Sequence, residues 1–152
     1  MLRLPTKTVY LAGPISHLSH EAATYGWRKD FAEAMPSHIH CISPMRSTND
    51  RAHIKKLPKQ PPADVLKRVV TRDFFDIQTC DLIVANFLDA DIVSIGTCCE
   101  FGFAYALRKP VIMVHKKGDV HDHGFLTHIA GWVVKDLNKA IDLTINTLTP
   151  GY

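Results

Sequence analysis

The stretch Ser94-Ile95-Gly96-Thr97-Cys98-Cys99-Glu100-Phe101-Gly102 carries the pattern best suited to chemistry: a segment with small residues passes into an apolar helical run that holds one carboxylate. Small Gly96 and Thr97 let a ligand approach the backbone, and the N–H groups at a helix start favour negative charge. With the helix expected from Thr97, Glu100 falls in its first turn and stays ionised there. An ionised carboxylate at the mouth of a site can attack an anomeric carbon, as carboxylate nucleophiles do in glycosyl transfer. The plain alternative is an acid that only complements the helix dipole.

Other reactive side chains stand apart from that stretch. His121-Asp122-His123 offers two imidazoles around a carboxylate, ligand types for zinc or iron. No second Cys/His pair of matching spacing accompanies it, and His38-x-His40 falls in or beside a strand, so no metal site is expected. Arg46, in Ser43-Pro44-Met45-Arg46 just after a strand, is the preferred anion-binding guanidinium, while Arg28 is left open between anion binding and an ordinary salt bridge. Asp73, on the residues alone, is a surface acid paired with Arg72, and Tyr10 a half-buried strand aromatic. Asp81 before a strand and Asp76 on an exposed helix turn are expected to be structural. Trp27, Phe31, Phe101, Phe103 and Tyr105 have core spacing, which leaves Phe74 and Phe87 as the aromatics able to stack on a base. Cys98 and Cys99 have no Cys-His-acid arrangement around them and are taken as small packing residues. His17 and His20 are expected at the solvent or at a helix start.

These residues need a scaffold, and the hydrophobic periods supply one. Thr8 to Ala12 is a β-prone run stopped by Gly13-Pro14, and Ile39 to Ile42, Leu82 to Ala85, Val111 to His115 and Gly131 to Val134 give four further short strands. Helical spacing runs from about His20 to Ala34, Ala63 to Thr79, about Thr97 to Leu107, Phe125 to Ile129 and Leu137 to Leu148. Ser43 through Pro62 forms a long loop, of a kind that tends to be functional. Strands alternating with helices imply an open, mostly parallel α/β sheet whose ligands bind beyond the carboxyl ends of the strands. The loops opening at Gly13, Ser43, Asn86 and His115 are therefore where a site is expected.

With 152 residues, 46% of them hydrophobic, the chain has the size of one domain over 1–152. Lys+Arg 18 against Asp+Glu 15 gives +3 with neutral His, and the acids are interspersed, so no basic stripe marks a nucleic-acid surface. The densest basic stretch, Arg51 to Lys59, has no aromatic stacking platform and is expected to be a solvated loop. Apolar runs such as Leu82 to Ala85 and Pro110 to Val114 are far shorter than the roughly 18 residues of a membrane span. The N-terminus lacks a signal peptide's apolar run, and a cytoplasmic location is expected. Cys41, Cys80, Cys98 and Cys99 form no spaced ladder, as expected of buried reduced thiols.

Taken together, Val9-Tyr10-Leu11-Ala12-Gly13-Pro14-Ile15, Arg72-Asp73, Cys80-Asp81-Leu82-Ile83-Val84-Ala85-Asn86 and Ser94 through Ile112 make the chain resemble the nucleoside 2-deoxyribosyltransferase family over most of its length. The resemblance implies a flavodoxin-like, doubly wound α/β domain that cleaves the N-glycosidic bond of deoxynucleosides or their 5′-monophosphates. It implies Glu100 as the nucleophile that forms a glycosyl ester at C1′, Tyr10 as the hydroxyl that holds that carboxylate, and Asp73 as the acid that handles the nucleobase proton. Ser94 stands six positions before the nucleophile, where the base-transferring branch carries a carboxylate facing the 5′-hydroxyl and the monophosphate-hydrolysing branch a serine facing phosphate. Asp122 argues the other way, since in the family the loop after the next strand enters a neighbouring subunit's site and contacts the 5′ end. An acid there repels phosphate unless His121, His123 or Arg46 neutralises it. Asp89 and Asp91 are further candidates for the missing carboxylate.

The expectation is an N-deoxyribosyltransferase on a five-stranded, mostly parallel sheet, with Glu100, Asp73 and Tyr10 catalytic and Gly13, Arg46, Ser94, Gly96, Asp122 and His123 against the substrate. Its partners are a small-molecule nucleoside or nucleotide and a free nucleobase, with no cofactor, no metal, no nucleic acid and no membrane. Its active form is a homo-oligomer, a dimer or larger, with shared sites. One alternative is a 2′-deoxynucleoside 5′-monophosphate N-glycosidase with Ser94 and a basic partner on the phosphate. The other is a noncatalytic nucleotide-binding domain, against which a nucleophile with an acid partner speaks.

Overall fold

The strands are β1 (Lys7–Ala12), β2 (Ile39–Ile42), β3 (Leu82–Asn86), β4 (Val111–Val114) and β5 (Trp132–Val134), and the helices α1 (His20–Glu33), α2 (Ala63–Thr79), α3 (Ile95–Ala106), α4 (Gly124–Ile129) and α5 (Leu137–Leu148). This computed structural model describes residues 4–15, 20–46 and 63–151, with the backbone alone in 20–25. The basic stretch Arg51 to Lys59, most of the long loop up to Pro62, His17 and the side chain of His20 lie outside the described residues. The strands form one parallel sheet in the order β2-β1-β3-β4-β5, the flavodoxin-like order. Each expected element is present, with ends displaced by no more than two residues.

Strand parity decides which helices meet which side chains. β3 and β4 are buried at every residue, as parallel strands covered on both faces must be. Side chains alternate along a strand, so Val9, Leu11, Leu82, Val84, Ile112 and Val114 pack on one face with Phe31 of α1 and Ala140 and Leu148 of α5. Tyr10, Ala12, Ile83, Ala85 and Met113 turn to the other face, against Ile77 of α2, Phe101 and Ala104 of α3 and Leu126 of α4. Tyr10 thereby enters the layer that contains α2 and α3.

The chain leaves β1 for one edge of the sheet and returns on the other side of β1 as β3, which opens a crevice beyond the carboxyl ends of these two strands. Gly13 follows β1 there with φ +154, and a Cβ on it would lie 2.7 Å from the Asn86 carbonyl oxygen at the end of β3. Buried Arg28 of α1 braces this turn: Nε donates to the Leu11 carbonyl and Nη2 to the Gly13 carbonyl, each at 3.1 Å, beside the Trp27 ring. Arg28 is thus a strut for the backbone of the crevice.

The amino ends of the strands are closed differently. Asp81 accepts the Thr8 N–H at 2.8 Å, the Thr8 hydroxyl at 3.2 Å and the Lys7 ammonium at 3.0 Å. Burial raises the Asp81 pKa, but these donors outweigh it and hold the carboxyl below the usual carboxylate range. Burial corrects several expectations, among them that of Tyr10, which is fully buried and not half-buried. Asp76 is buried at 3% exposure instead of standing on an exposed turn, Tyr105 is exposed instead of in the core, and Cys99 is an exposed thiol. No helix among the described residues is long and apolar enough to cross a membrane.

Candidate active site

Along α2 the residues Val65, Val69, Asp73 and Ile77 recur at four-residue steps and are buried, so the helix turns an apolar stripe interrupted by one acid toward the rest of the domain. The Phe74 ring meets Phe103 of α3 edge to face at 5.0 Å and holds the two helices together. Arg72 reaches across to the segment after β2, donating to the Pro44 carbonyl at 2.6 Å and the Arg46 carbonyl at 3.1 Å, and its Nη2 lies 3.3 Å from Asp73 Oδ1. Asp73 keeps the arginine expected beside it, yet it is buried and not on the surface.

α3 begins at Ile95, with Ser94 as N-cap, two residues before the expected start. Glu100 consequently lies in the second turn and not the first, where the helix dipole has largely faded. Its carboxylate is held from the sheet instead: Tyr10 Oη donates to Glu100 Oε1 at 2.7 Å. Helical side chains lean toward the N-terminus, which sets Glu100 over Gly96 and Thr97 one turn earlier. A Cβ on Gly96 would meet nothing within 4 Å, so the space above that turn is open.

That space belongs to a cleft of about 570 Å³ at the carboxyl ends of the strands. Gly13, Asp73, Ser94, Gly96 and Glu100 line it, with Tyr10 behind Glu100. Leu66, Val69 and Val70 of α2 and Phe103 of α3 supply apolar wall, as do Ile92 and Val93 before α3. A largely apolar cleft of this size with a few convergent polar groups fits a small molecule with an apolar part and a polar part. Among the described residues no three His, Cys, Asp or Glu side chains gather as metal ligands.

Several residues expected at the substrate stand elsewhere. Arg46 does not line the cleft; its guanidinium makes a two-pronged ion pair with buried Asp76, at 2.6 Å and 2.5 Å, and the Asp76 hydrogen bond raises its pKa despite burial. Asp122 is exposed and accepts the Gly118 N–H at 2.7 Å, and His123 is the exposed N-cap of α4, accepting the Phe125 N–H. Neither lines the cleft of its own chain, and Asp89 and Asp91 do not line it either. Phe74 is committed to Phe103, and Phe87 is buried against Phe101 and His121, so neither faces the cleft. Phe103 and Cys99 do line it. Phe103 was hidden by its helical spacing, which is the same for a core wall and a cleft wall. Cys99, next to Glu100 in sequence, had adjacency as its one signal.

A family model for nucleoside 2-deoxyribosyltransferase matches residues 9–144. No curated protein sequence matches the chain. Among solved structures, the chain is similar to a 2-deoxyribosyltransferase from the psychrotolerant bacterium Bacillus psychrosaccharolyticus, with a TM-score of 0.66 and 20% identity over 93% of this chain and 95% of that one. It is similar to a conserved protein from Enterococcus faecalis, with a TM-score of 0.66 and 17% identity over 90% and 96% of the two chains. It is also similar to the CMP N-glycosidase of Clostridium botulinum, with a TM-score of 0.52 and 17% identity over 91% and 98%. At these identities the structural likenesses establish the fold.

Proposed function

Because the chain belongs to the nucleoside 2-deoxyribosyltransferase family, we propose that it cleaves the N-glycosidic bond of a 2′-deoxynucleoside and passes the sugar to a second nucleobase through an ester on Glu100. The observation that carries this reading is the 2.7 Å bond from Tyr10 Oη to Glu100 Oε1 in a cleft that Asp73 also lines. A carboxylate nucleophile needs a fixed rotamer and a proton source for its leaving group, and Tyr10 and Asp73 have those chemistries.

In the first step Asp73 gives a proton to the departing base, the C1′–N bond breaks with its electron pair going to that base, and a Glu100 oxygen closes on C1′. In the second step a nitrogen of the incoming base attacks C1′, the ester bond breaks, and the proton lost by that base returns to Asp73. Two inversions give net retention. The apolar walls at Leu66, Val69, Val70 and Phe103 suit the flat base. Asp122 and His123, which lie off their own chain's cleft, complete that of a second copy in this reading, and sedimentation of the active species measures whether it is a dimer or larger.

A second reading is favoured by Ser94. Its hydroxyl lies 2.9 Å from that of Thr97 where α3 begins, it lines the cleft, and no third carboxylate among the described residues does so. A neutral hydroxyl beside helix N–H groups suits a 5′-phosphate, and water as acceptor would make the same machinery a 2′-deoxynucleoside 5′-monophosphate N-glycosidase. One experiment separates the readings: deoxynucleosides, their 5′-monophosphates and the ribose counterparts, each with and without a second free base, followed by chromatography. A new nucleoside that forms only with acceptor base supports transfer. Free base released from monophosphates alone replaces transfer with hydrolysis, and no cleavage of any substrate leaves a binding domain.

A further inference from the structure

His121 is buried at 1% exposure in the segment between β4 and α4, yet it has no part in the chemistry described above. Its ring stacks on Phe87 at 4.1 Å between centroids, and Phe87 packs in turn on Phe101, the neighbour of Glu100 in α3. The Ser94 N–H lies 2.8 Å from His121 Nε2. A backbone N–H can only donate, so Nε2 is the acceptor and the neutral ring carries its proton on Nδ1. The segment that bears the ring is itself pinned, because Asp119 Oδ1 accepts the His121 N–H at 2.7 Å while Asp119 Oδ2 accepts the Lys116 N–H at 3.1 Å.

Resting on the proposed reading of the cleft, we propose that His121 is a positioning residue for it: the unprotonated Nε2 holds the Ser94 N–H, and with it the 92–94 segment and the start of α3, where substrate must bind. Ser94 is the junction on which this geometry turns. It caps α3, its carbonyl accepts the Cys98 N–H at 3.0 Å, its hydroxyl meets Thr97, and Ile92, Val93, Ser94 and Gly96 all line the cleft. No side chain of the 86–94 segment supplies the acceptor for that N–H; a residue 27 positions away does.

Protonation turns the acceptor into a second donor facing the Ser94 N–H, so the contact exists only with neutral His121. The titratable groups that face the ring are Asp119, which favours the charged form, and His115, which opposes it; Phe87 and the Ser94 amide, on the other packed segments, bring no charge. Burial is the largest influence and moves the His121 pKa below its ordinary value, which keeps the ring neutral at pH 7. As pH falls through that depressed pKa, the hold on Ser94 is lost and KM rises.

The test combines two variants with nitrogen-15 spectra of the histidine rings and the Ser94 amide across pH. His121→Phe keeps the stack on Phe87 and removes the acceptor, whereas His121→Gln offers an amide oxygen in its place. With the substrate that the wild type turns over fastest, His121→Phe is expected to raise KM about tenfold, the scale of one lost hydrogen bond, while kcat moves less. His121→Gln is expected to recover most of that affinity and to lose the rise of KM in acid. In the wild type, Nε2 carries the shift of an unprotonated nitrogen at pH 7 and moves together with the Ser94 amide on acidification. A protonated Nε2 at pH 7, an unchanged KM in folded His121→Phe, or an acid rise that persists in His121→Gln overturns the proposal. The spectra need no turnover, so a wild type that cleaves no deoxynucleoside defeats the reading of the reaction while the ring nitrogen still decides the hydrogen bond.

Discussion

The two ends of the parallel sheet handle carboxylates in opposite ways. At the amino ends Asp81 sits among donors from Thr8 and Lys7 and ties β1 to the residues that precede β3. At the carboxyl ends Asp73 and Glu100 line an open cleft whose other walls are largely apolar. A carboxylate surrounded by donors is stabilised and inert, whereas one that borders an apolar cleft is available to a substrate. The contrast repeats within one helix: Asp76, three residues after Asp73, is locked by the two-pronged guanidinium of Arg46, while Asp73 lines the cleft and lies 3.3 Å from Arg72 Nη2.

The sharpest way to break this contrast is Glu100→Gln, which keeps shape and a hydrogen-bond acceptor for Tyr10 but removes the proposed nucleophile. Turnover is expected to fall by about 10⁴-fold or more while the melting temperature holds. Near-normal turnover in folded protein would remove Glu100 from the reaction. Next comes Arg46→Ala, which strands buried Asp76. The loss of stability is expected at about 2–3 kcal/mol, below the figure for a fully buried pair because the Arg46 side chain is 41% exposed. Denaturant titration reads this directly, and an unchanged midpoint would make the ion pair incidental.

Tyr10→Phe removes one charge-assisted hydrogen bond from the proposed nucleophile and leaves the packed ring in place. A ten- to hundredfold fall in kcat is expected, or about 1.5–3 kcal/mol, and a rate equal to wild type would give Tyr10 a packing role alone. The smallest effect belongs to the inert end. Asp81→Asn is expected to cost about 1–2 kcal/mol at neutral pH with little change in rate. Since the folded Asp81 pKa is depressed, the unfolded chain binds the proton more readily. The stabilisation is therefore complete above the unfolded value of 3.8 and is lost as pH falls through the folded one. Melting curves of the two proteins should converge in acid; a constant gap across pH would mean that the charge contributes nothing.

Much of this architecture was legible because periodicity reports burial. Continuous apolar runs at Leu82 to Ala85 and Val111 to Val114 are required of strands covered on both faces, and α2 and α5 coincide with their expected bounds because their apolar stripes are clean. Among the residues expected in the site, Gly13, Asp73, Ser94, Gly96 and Glu100 line one cleft, with Tyr10 in contact with Glu100. The residues that stand off the cleft share a cause. Arg46, Phe74 and Phe87 have the chemistry of a site, but other residues take them up: Arg46 by Asp76, Phe74 by Phe103, and Phe87 by Phe101 and His121.

By itself, then, the sequence determined the order of strands and helices, their parallel sheet and the end of it where a ligand belongs, because each follows from local period and chain connectivity. Only the tertiary structure decided which acids are locked in ion pairs away from the cleft and which line it. That choice depends on partners brought from distant positions: donors from Tyr10 to Glu100, Arg46 to Asp76 and Lys7 to Asp81, just as His121 brings the acceptor for the Ser94 N–H. A residue's type states what bonds it can make; the neighbours that satisfy it are set by packing between elements far apart in the chain.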